Sequence, residues 1–216
     1  MKSVRKLICA LLVGALTMSF GVGCGNTRAT GESTKTEETG SENASSEGDY
    51  LSGKWTVEID VKDYGTITCE LDADKAPITV TNFINLVNEG FYDGLTFHRI
   101  ISGFMIQGGD PNGNGTGGSD TPIVGEFSEN GIENDISHVR GTISMARSSD
   151  YNSATSQFFI VHEDSVFLDG QYAAFGTVTD GMDIVDKICE DTVVTDSNGT
   201  VEASNQPVIE SIDVVD

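Results

Sequence analysis

The sequence predicts a mainly β domain over residues 54–216, an antiparallel sheet closed on itself and capped by two helices. Three observations predict it. Apolar runs in this region are short and broken by turns rich in Gly, Asn and Asp. Only two stretches carry a helical period, and strands and helices never alternate in the rhythm that a parallel sheet requires. At 163 residues the region is a comfortable size for one domain.

The elements follow in order. Trp55–Val61 and Gly65–Leu71 alternate apolar and polar residues, as half-buried strands do. Pro77 opens a helix in which Val80, Phe83, Ile84 and Val87 fall on one face, and Gly90 ends it. Short apolar runs come next, at Phe104–Ile106, Gly141–Ala146, Gln157–Val161 and Ala173–Val178. A second helix at about 181–189 presents Met182, Val185 and Ile188, and the strand Val208–Val214 closes the domain. No internal repeat is present.

The residues before the domain read differently. Lys2, Arg5 and Lys6 precede an uncharged apolar run over 7–20, with small residues leading to Cys24. This is the layout of a secretory signal over 1–23, and the apolar core is shorter than the ~20 residues of a spanning helix. An uncleaved membrane anchor is the alternative. Gly21-Val22-Gly23-Cys24 resembles the lipobox of bacterial lipoproteins, although that pattern usually has leucine where Gly21 stands. The expectation is a lipidated Cys24 and an extracytoplasmic protein anchored to the bacterial cell membrane. Residues 24–50 are rich in Ser, Thr, Glu and Gly, with Tyr50 the one large apolar residue. Such a segment cannot bury enough surface to offset its ordering entropy and is expected to be a disordered tether reaching roughly 25–30 Å.

The chain has 12 basic and 34 acidic residues, a net charge of −22. Removal of the signal takes three of the basic residues, leaving 9 − 34 = −25. So acidic a body has no electrostatic footprint for nucleic acid and would be repelled by anionic lipid, which leaves attachment to the lipid on Cys24. A monomer is expected. Of four cysteines, Cys9 lies in the signal and Cys24 at the lipobox. Cys69 in a strand and Cys189 at the end of a helix read as two buried thiols, with a single bridge as the alternative.

Several motifs invite chemistry and do not support it. In the glycine-rich stretch 108–120, Asp110, Asn112 and Asn114 match half of a calcium loop, but Thr121 stands where its closing Glu belongs. Gly113, Gly115 and Gly118 fit a dinucleotide fingerprint, yet Pro122 follows where a helix should begin. His98, His138 and His162 stand 40 and 24 residues apart, without metal-ligand spacing. No nucleophile-elbow pattern occurs. Neither metal nor cofactor is expected.

One constellation remains. Arg99 stands in a mostly apolar strand of an acidic protein, followed by Phe104, Met105 and Gln107, and later by Gln157 and Phe159. On a strand Gln157 and Phe159 share one face while Phe158 and Ile160 take the other. The result is an apolar surface bordered by amide and guanidinium donors. Ordinary barrel core explains the same pattern, and periodicity alone does not choose.

The segment FHRIISGFMIQGGD at 97–110 resembles a signature block of the cyclophilins. GTGG at 115–118, GEF at 125–127, GTISMAR at 141–147, SQFFI at 156–160 and LDGQYAAFG at 168–176 resemble further blocks in family order, covering essentially all of 54–216. The resemblance implies an eight-stranded antiparallel barrel with two capping helices, and peptidyl-prolyl cis-trans isomerase activity.

It implies Arg99 as the catalytic arginine and Gln107 as the group that orients it. Phe104, Met105, Phe159 and Leu168 become walls of a proline pocket, and Ala146, Arg147 and Gln157 line the groove beside it. His98 takes a structural role. Phe167 stands where many members have tryptophan, and Tyr172 where they have histidine, both at the rim. The absent indole N–H implies weak cyclosporin binding. The substrates implied are proline-containing segments of secreted or surface proteins. A non-catalytic module that binds proline segments is the competing reading, and the presence of Arg99 with all the pocket residues favours the enzyme.

Overall fold

The computed structural model describes residues 50–215. The expected signal over 1–23 and nearly all of the tether over 24–50, Cys24 included, lie outside the described residues.

Eight strands form one sheet: β1 (Lys54–Val61), β2 (Gly65–Asp72), β3 (Phe97–Ile101), β4 (Met105–Gly108), β5 (Thr142–Met145), β6 (Phe158–Val161), β7 (Ala174–Asp180) and β8 (Ile209–Val215). Their order is β3-β4-β6-β5-β7-β2-β1-β8, and every ladder is antiparallel. Helix α1 (Pro77–Asn88) follows β2, and α2 (Met182–Asp191) follows β7.

The expected closed barrel is corrected to a curled, open sheet, a half-barrel with β3 and β8 at its ends. Among the described residues, an isolated Thr96–Val208 bridge and a few backbone bonds near Pro207 join the two ends. The outer edge of β3 is already occupied. Ile100 N–H donates to Gly199 O at 2.8 Å, and Val201 N–H to His98 O at 3.1 Å. Backbone from the loop before β8 therefore satisfies the groups that β8 would otherwise pair.

The alternating pattern read in β1 and β2 holds. Val57, Ile59, Val61, Ile67, Cys69 and Leu71 face the core, with Ile59 opposite Ile67. Both helices fall where their periods place them. Pro77 occupies the first turn of α1, and Gly90, at φ 67°, supplies the left-handed backbone just past its end. Phe83 from α1 sits at the centre of an aromatic group, 5.0 Å from Tyr92, 5.5 Å from Phe158 and 5.2 Å from Phe175 between ring centroids. The N-terminus of α1 is capped from a distance: the buried Glu126 carboxylate accepts Ile78 N–H at 3.0 Å, Thr79 N–H at 2.8 Å and the Thr79 hydroxyl at 2.6 Å. Cys69 and Cys189 are buried and unbridged, and burial pushes both thiols up to about 12.

Candidate active site

The central strands carry apolar residues on both faces. Ile106, Phe158 and Ile160 join the main core, while Met105, Phe159, Val161 and Leu168 form a second apolar cluster with Phe104, Ala146 and Tyr172 packed against it. Met105 and Phe159 are therefore not ordinary core. They line the opposite face of the sheet.

A bulge aims the arginine at that face. On a regular strand Phe97 and Arg99, two residues apart, would point the same way. In β3 the register shifts between them: Phe97 pairs with Gly108 and Arg99 with Gln107, leaving His98 as the extra residue. Phe97 consequently enters the core, and Arg99 stands beside Gln107 on the face that carries Met105.

Arg99, Phe104, Met105, Phe159, Leu168 and Tyr172 line a cavity of about 210 Å³, completed by Gln107, Ala146 and Arg147. Drug-sized ligands occupy about 300–1,000 Å³, so this cavity suits one small ring. A neighbouring cavity of about 390 Å³ shares Gln107, Ala146 and Arg147 and adds Gln157 with the 115–119 backbone. Of the residues expected from sequence, Gln157 alone falls in the second cavity only. His98 lines neither; it is buried, and both ring nitrogens lack a hydrogen-bond partner.

The polar side of the site is a directed chain. Arg99 Nη1 donates to Gln107 Oε1 at 3.1 Å, Gln107 Nε2 to Gln157 Oε1 at 2.9 Å, and Gln157 Nε2 to Gly117 O at 2.7 Å. Because a guanidinium only donates, it forces the orientation of both amides in turn. On its other side Arg99 Nε donates to Asn198 O at 2.8 Å and Nη2 to Asn198 Oδ1 at 3.4 Å. Burial pulls the Arg99 pKa down, and Tyr172 and Asp196 pull it back; the group stays cationic. One Nη2 hydrogen has no acceptor, and one Nη1 hydrogen meets only Met105 Sδ at 3.9 Å.

Arg147 is a wall and not a free donor. Nε and Nη2 donate to Gln171 O, Nη1 donates to Ser148 O, and the guanidinium lies 4.7–5.1 Å from the ring centroids of Tyr172, Tyr151 and Phe127.

Two features were missed in the sequence. Asn198, which grips Arg99, lies 99 residues away, and the NG turn at 198–199 was the only local signal. The second is a Ser–His–Asp arrangement in which Ser144 and His138 are buried and Asp169 reaches the surface. His138 Nδ1 meets Asp169 Oδ1 at 2.9 Å and Nε2 meets Ser144 Oγ at 2.9 Å. Burial draws the His138 pKa down against the pull of Asp169, so the ring is neutral, donating to Asp169 and accepting from Ser144. Ser144 is wholly buried, so its hydroxyl meets no substrate. The His138 ring instead stacks on Phe159, 6.0 Å between centroids and 17° from parallel, and backs the cavity wall.

A small cavity with apolar walls, a held guanidinium and no nucleophile among its lining residues suits non-covalent binding of one compact ring. The comparisons sharpen this. The family profile "Cyclophilin type peptidyl-prolyl cis-trans isomerase/CLD" matches residues 56–214. Peptidyl-prolyl cis-trans isomerase A of Dickeya dadantii is 49% identical over 131 residues, covering 58% of this chain and 67% of its own. Peptidyl-prolyl cis-trans isomerase B of Bacillus subtilis is 47% identical over 123 residues, covering 57% and 82%. A Cryptosporidium parvum cyclophilin solved in the presence of the dipeptide Ala-Pro superposes with a TM-score of 0.66 at 31% identity, covering 74% of this chain and 99% of that one. The chain belongs to the cyclophilin family of peptidyl-prolyl cis-trans isomerases, EC 5.2.1.8.

Proposed function

We propose that the chain accelerates rotation about Xaa-Pro bonds by donating a hydrogen bond from Arg99 to the twisted imide, while the apolar cavity holds the pyrrolidine ring. The observation that carries this is the convergence of Arg99 with Phe104, Met105, Phe159 and Leu168 on one cavity sized for a single ring.

Rotation must break amide resonance, against a barrier of about 18–20 kcal/mol. In the twisted state the proline nitrogen becomes pyramidal and gains a lone pair. No covalent bond is made or broken, so neither nucleophile nor metal enters. A hydrogen bond from Arg99 to that nitrogen forms fully only in the twisted state, and so lowers the barrier without tightening ground-state binding. Gln107 and Asn198 hold the guanidinium from two sides, so its orientation is set before the substrate arrives. A thousand- to millionfold acceleration requires only about 4–8 kcal/mol. The test is turnover of a proline tetrapeptide by the parent and by Arg99→Ala.

The proposed setting is the outer face of the cell membrane, with a lipid on Cys24 and the 24–50 segment as tether. The basic start, the apolar run over 7–20 and the lipobox-like Gly21–Cys24 support it. Clients there are secreted or surface proteins folding after export, where slow proline steps limit the rate. Mass spectrometry of the membrane fraction is expected to find a diacylated Cys24, and an unmodified thiol refutes the anchor.

A further inference from the structure

Phe104, the outer wall of the cavity, sits at the end of the tight Ser102–Gly103 turn between β3 and β4, and that turn has few tethers of its own. Phe104 N–H donates to Ile101 O at 2.9 Å, which closes the turn locally. Phe167 packs on the Phe104 ring, and the remaining polar hold comes from one residue, His162, through its ring and its backbone. Gly103 N–H donates to His162 Nδ1 at 2.8 Å, and the His162 backbone N–H donates to Phe104 O at 2.9 Å.

His162 follows β6, and its ring is itself fixed from behind. Its Nε2 meets Asp186 Oδ1 of α2 at 3.0 Å. Arg140 Nη2 donates to the same carboxylate at 2.8 Å, and Arg140 Nη1 donates to the His162 carbonyl at 2.7 Å. The contacts determine the tautomer without ambiguity. A backbone N–H can only donate, so Nδ1 must carry the lone pair; the proton then sits on Nε2, facing a carboxylate that can only accept. The His162 side chain is 12% exposed, while Gly103 lies at the surface, so the ring is the sheltered partner of this bond.

We propose that His162 is a positioning residue for the isomerase reaction, tying the Ser102–Gly103 turn to α2 and thereby holding Phe104 against the bound proline ring. This rests on the function proposed above. Phe104 grips the ring equally in the planar and twisted states, so the effect of losing the tie belongs in KM more than in kcat.

Two substitutions separate the tie from bulk. Asparagine places Oδ1 near the position of Nδ1 and can still accept Gly103 N–H, whereas leucine fills the space and accepts nothing. The readouts are kcat and KM on a proline tetrapeptide and amide hydrogen exchange at Gly103. His162→Leu is expected to raise KM roughly three- to tenfold with kcat within about twofold, and His162→Asn to bring KM back within about twofold of the parent. Gly103 exchange is expected to be slow in the parent and fast in His162→Leu. An unchanged KM in His162→Leu, or an asparagine variant no better than leucine, overturns the proposal. So does a freely exchanging Gly103 amide in the parent, which needs no variant to fold. If the parent binds the peptide without turning it over, the isomerase reading fails, and the same comparison made on peptide Kd decides the role of His162.

Discussion

Replacing Gln107 with methionine tests how much of the Arg99 chemistry depends on its orientation. Methionine keeps the length and most of the volume of glutamine and removes both polar groups. Two hydrogen bonds disappear: Arg99 Nη1 to Gln107 at 3.1 Å, and Gln107 to Gln157 at 2.9 Å. A hydrogen bond to a charged group is worth about 1.5–3 kcal/mol. Here the arginine is half-buried and Asn198 still holds Nε at 2.8 Å, so the loss sits at the low end. About 1–2 kcal/mol of transition-state stabilisation corresponds to a roughly 5- to 30-fold fall in kcat/KM. Gln157→Met, one link further along the chain, is expected to cost less than about threefold. The assay is cis-to-trans relaxation of a proline tetrapeptide, with unfolding midpoints measured alongside to exclude loss of fold. Activity of Gln107→Met within twofold of the parent refutes the orienting role.

Two further outcomes follow from charge and exposure. Burial holds the pKa of His98 and of His138 below the ordinary 6.5, so the unfolded chain binds more protons just below that value. Stability present above pH ~6.5 is therefore lost as pH falls. Asp110 and Asp169 act in the same direction at lower pH: burial raises them, but hydrogen bonds win and hold both below the ordinary 3.8. Glu126, raised by burial, opposes them. The urea midpoint is expected to fall between pH ~7.5 and ~5.5, and a constant midpoint contradicts the assignment. Phe167, 64% exposed and with its ring tilted 33° to that of Phe104 at 5.6 Å, offers the rim no N–H donor. Cyclosporin is expected to inhibit weakly and Phe167→Trp to tighten inhibition; equal inhibition of the two forms counts against a missing donor.

Much of the fold was legible because its signals are local. The alternation in Trp55–Val61 and Gly65–Leu71, the apolar stripe of α1 and the glycine that ends it each lie within one element. The openness of the sheet was not legible. It depends on which backbone reaches the edge of β3, and Gly199 and Val201 do so from about a hundred residues away. The site divides in the same manner. Arg99, Phe104, Met105 and Gln107 sit on one hairpin, and Phe159 pairs beside it through β6. The choice between core and cavity for these residues required knowing that the face carrying Met105 and Phe159 is not the one facing α1. The bulge at His98, which sends Phe97 and Arg99 to opposite faces, leaves no mark in the alternation of residues. Asn198 meets Arg99 from 99 residues away and Asp169 meets His138 from 31, and neither contact had a periodic signature.

Arg99 carries the proposed reaction, and its most direct test measures turnover and binding together. Arg99→Ala is expected to keep the unfolding midpoint and to bind a proline peptide within about fivefold of the parent, because the apolar walls remain. Its kcat/KM is expected to fall roughly 100- to 1,000-fold, the effect of removing one preorganised donor from the transition state. Full turnover in Arg99→Ala, or a loss confined to peptide binding with kcat intact, contradicts the proposed role of the guanidinium.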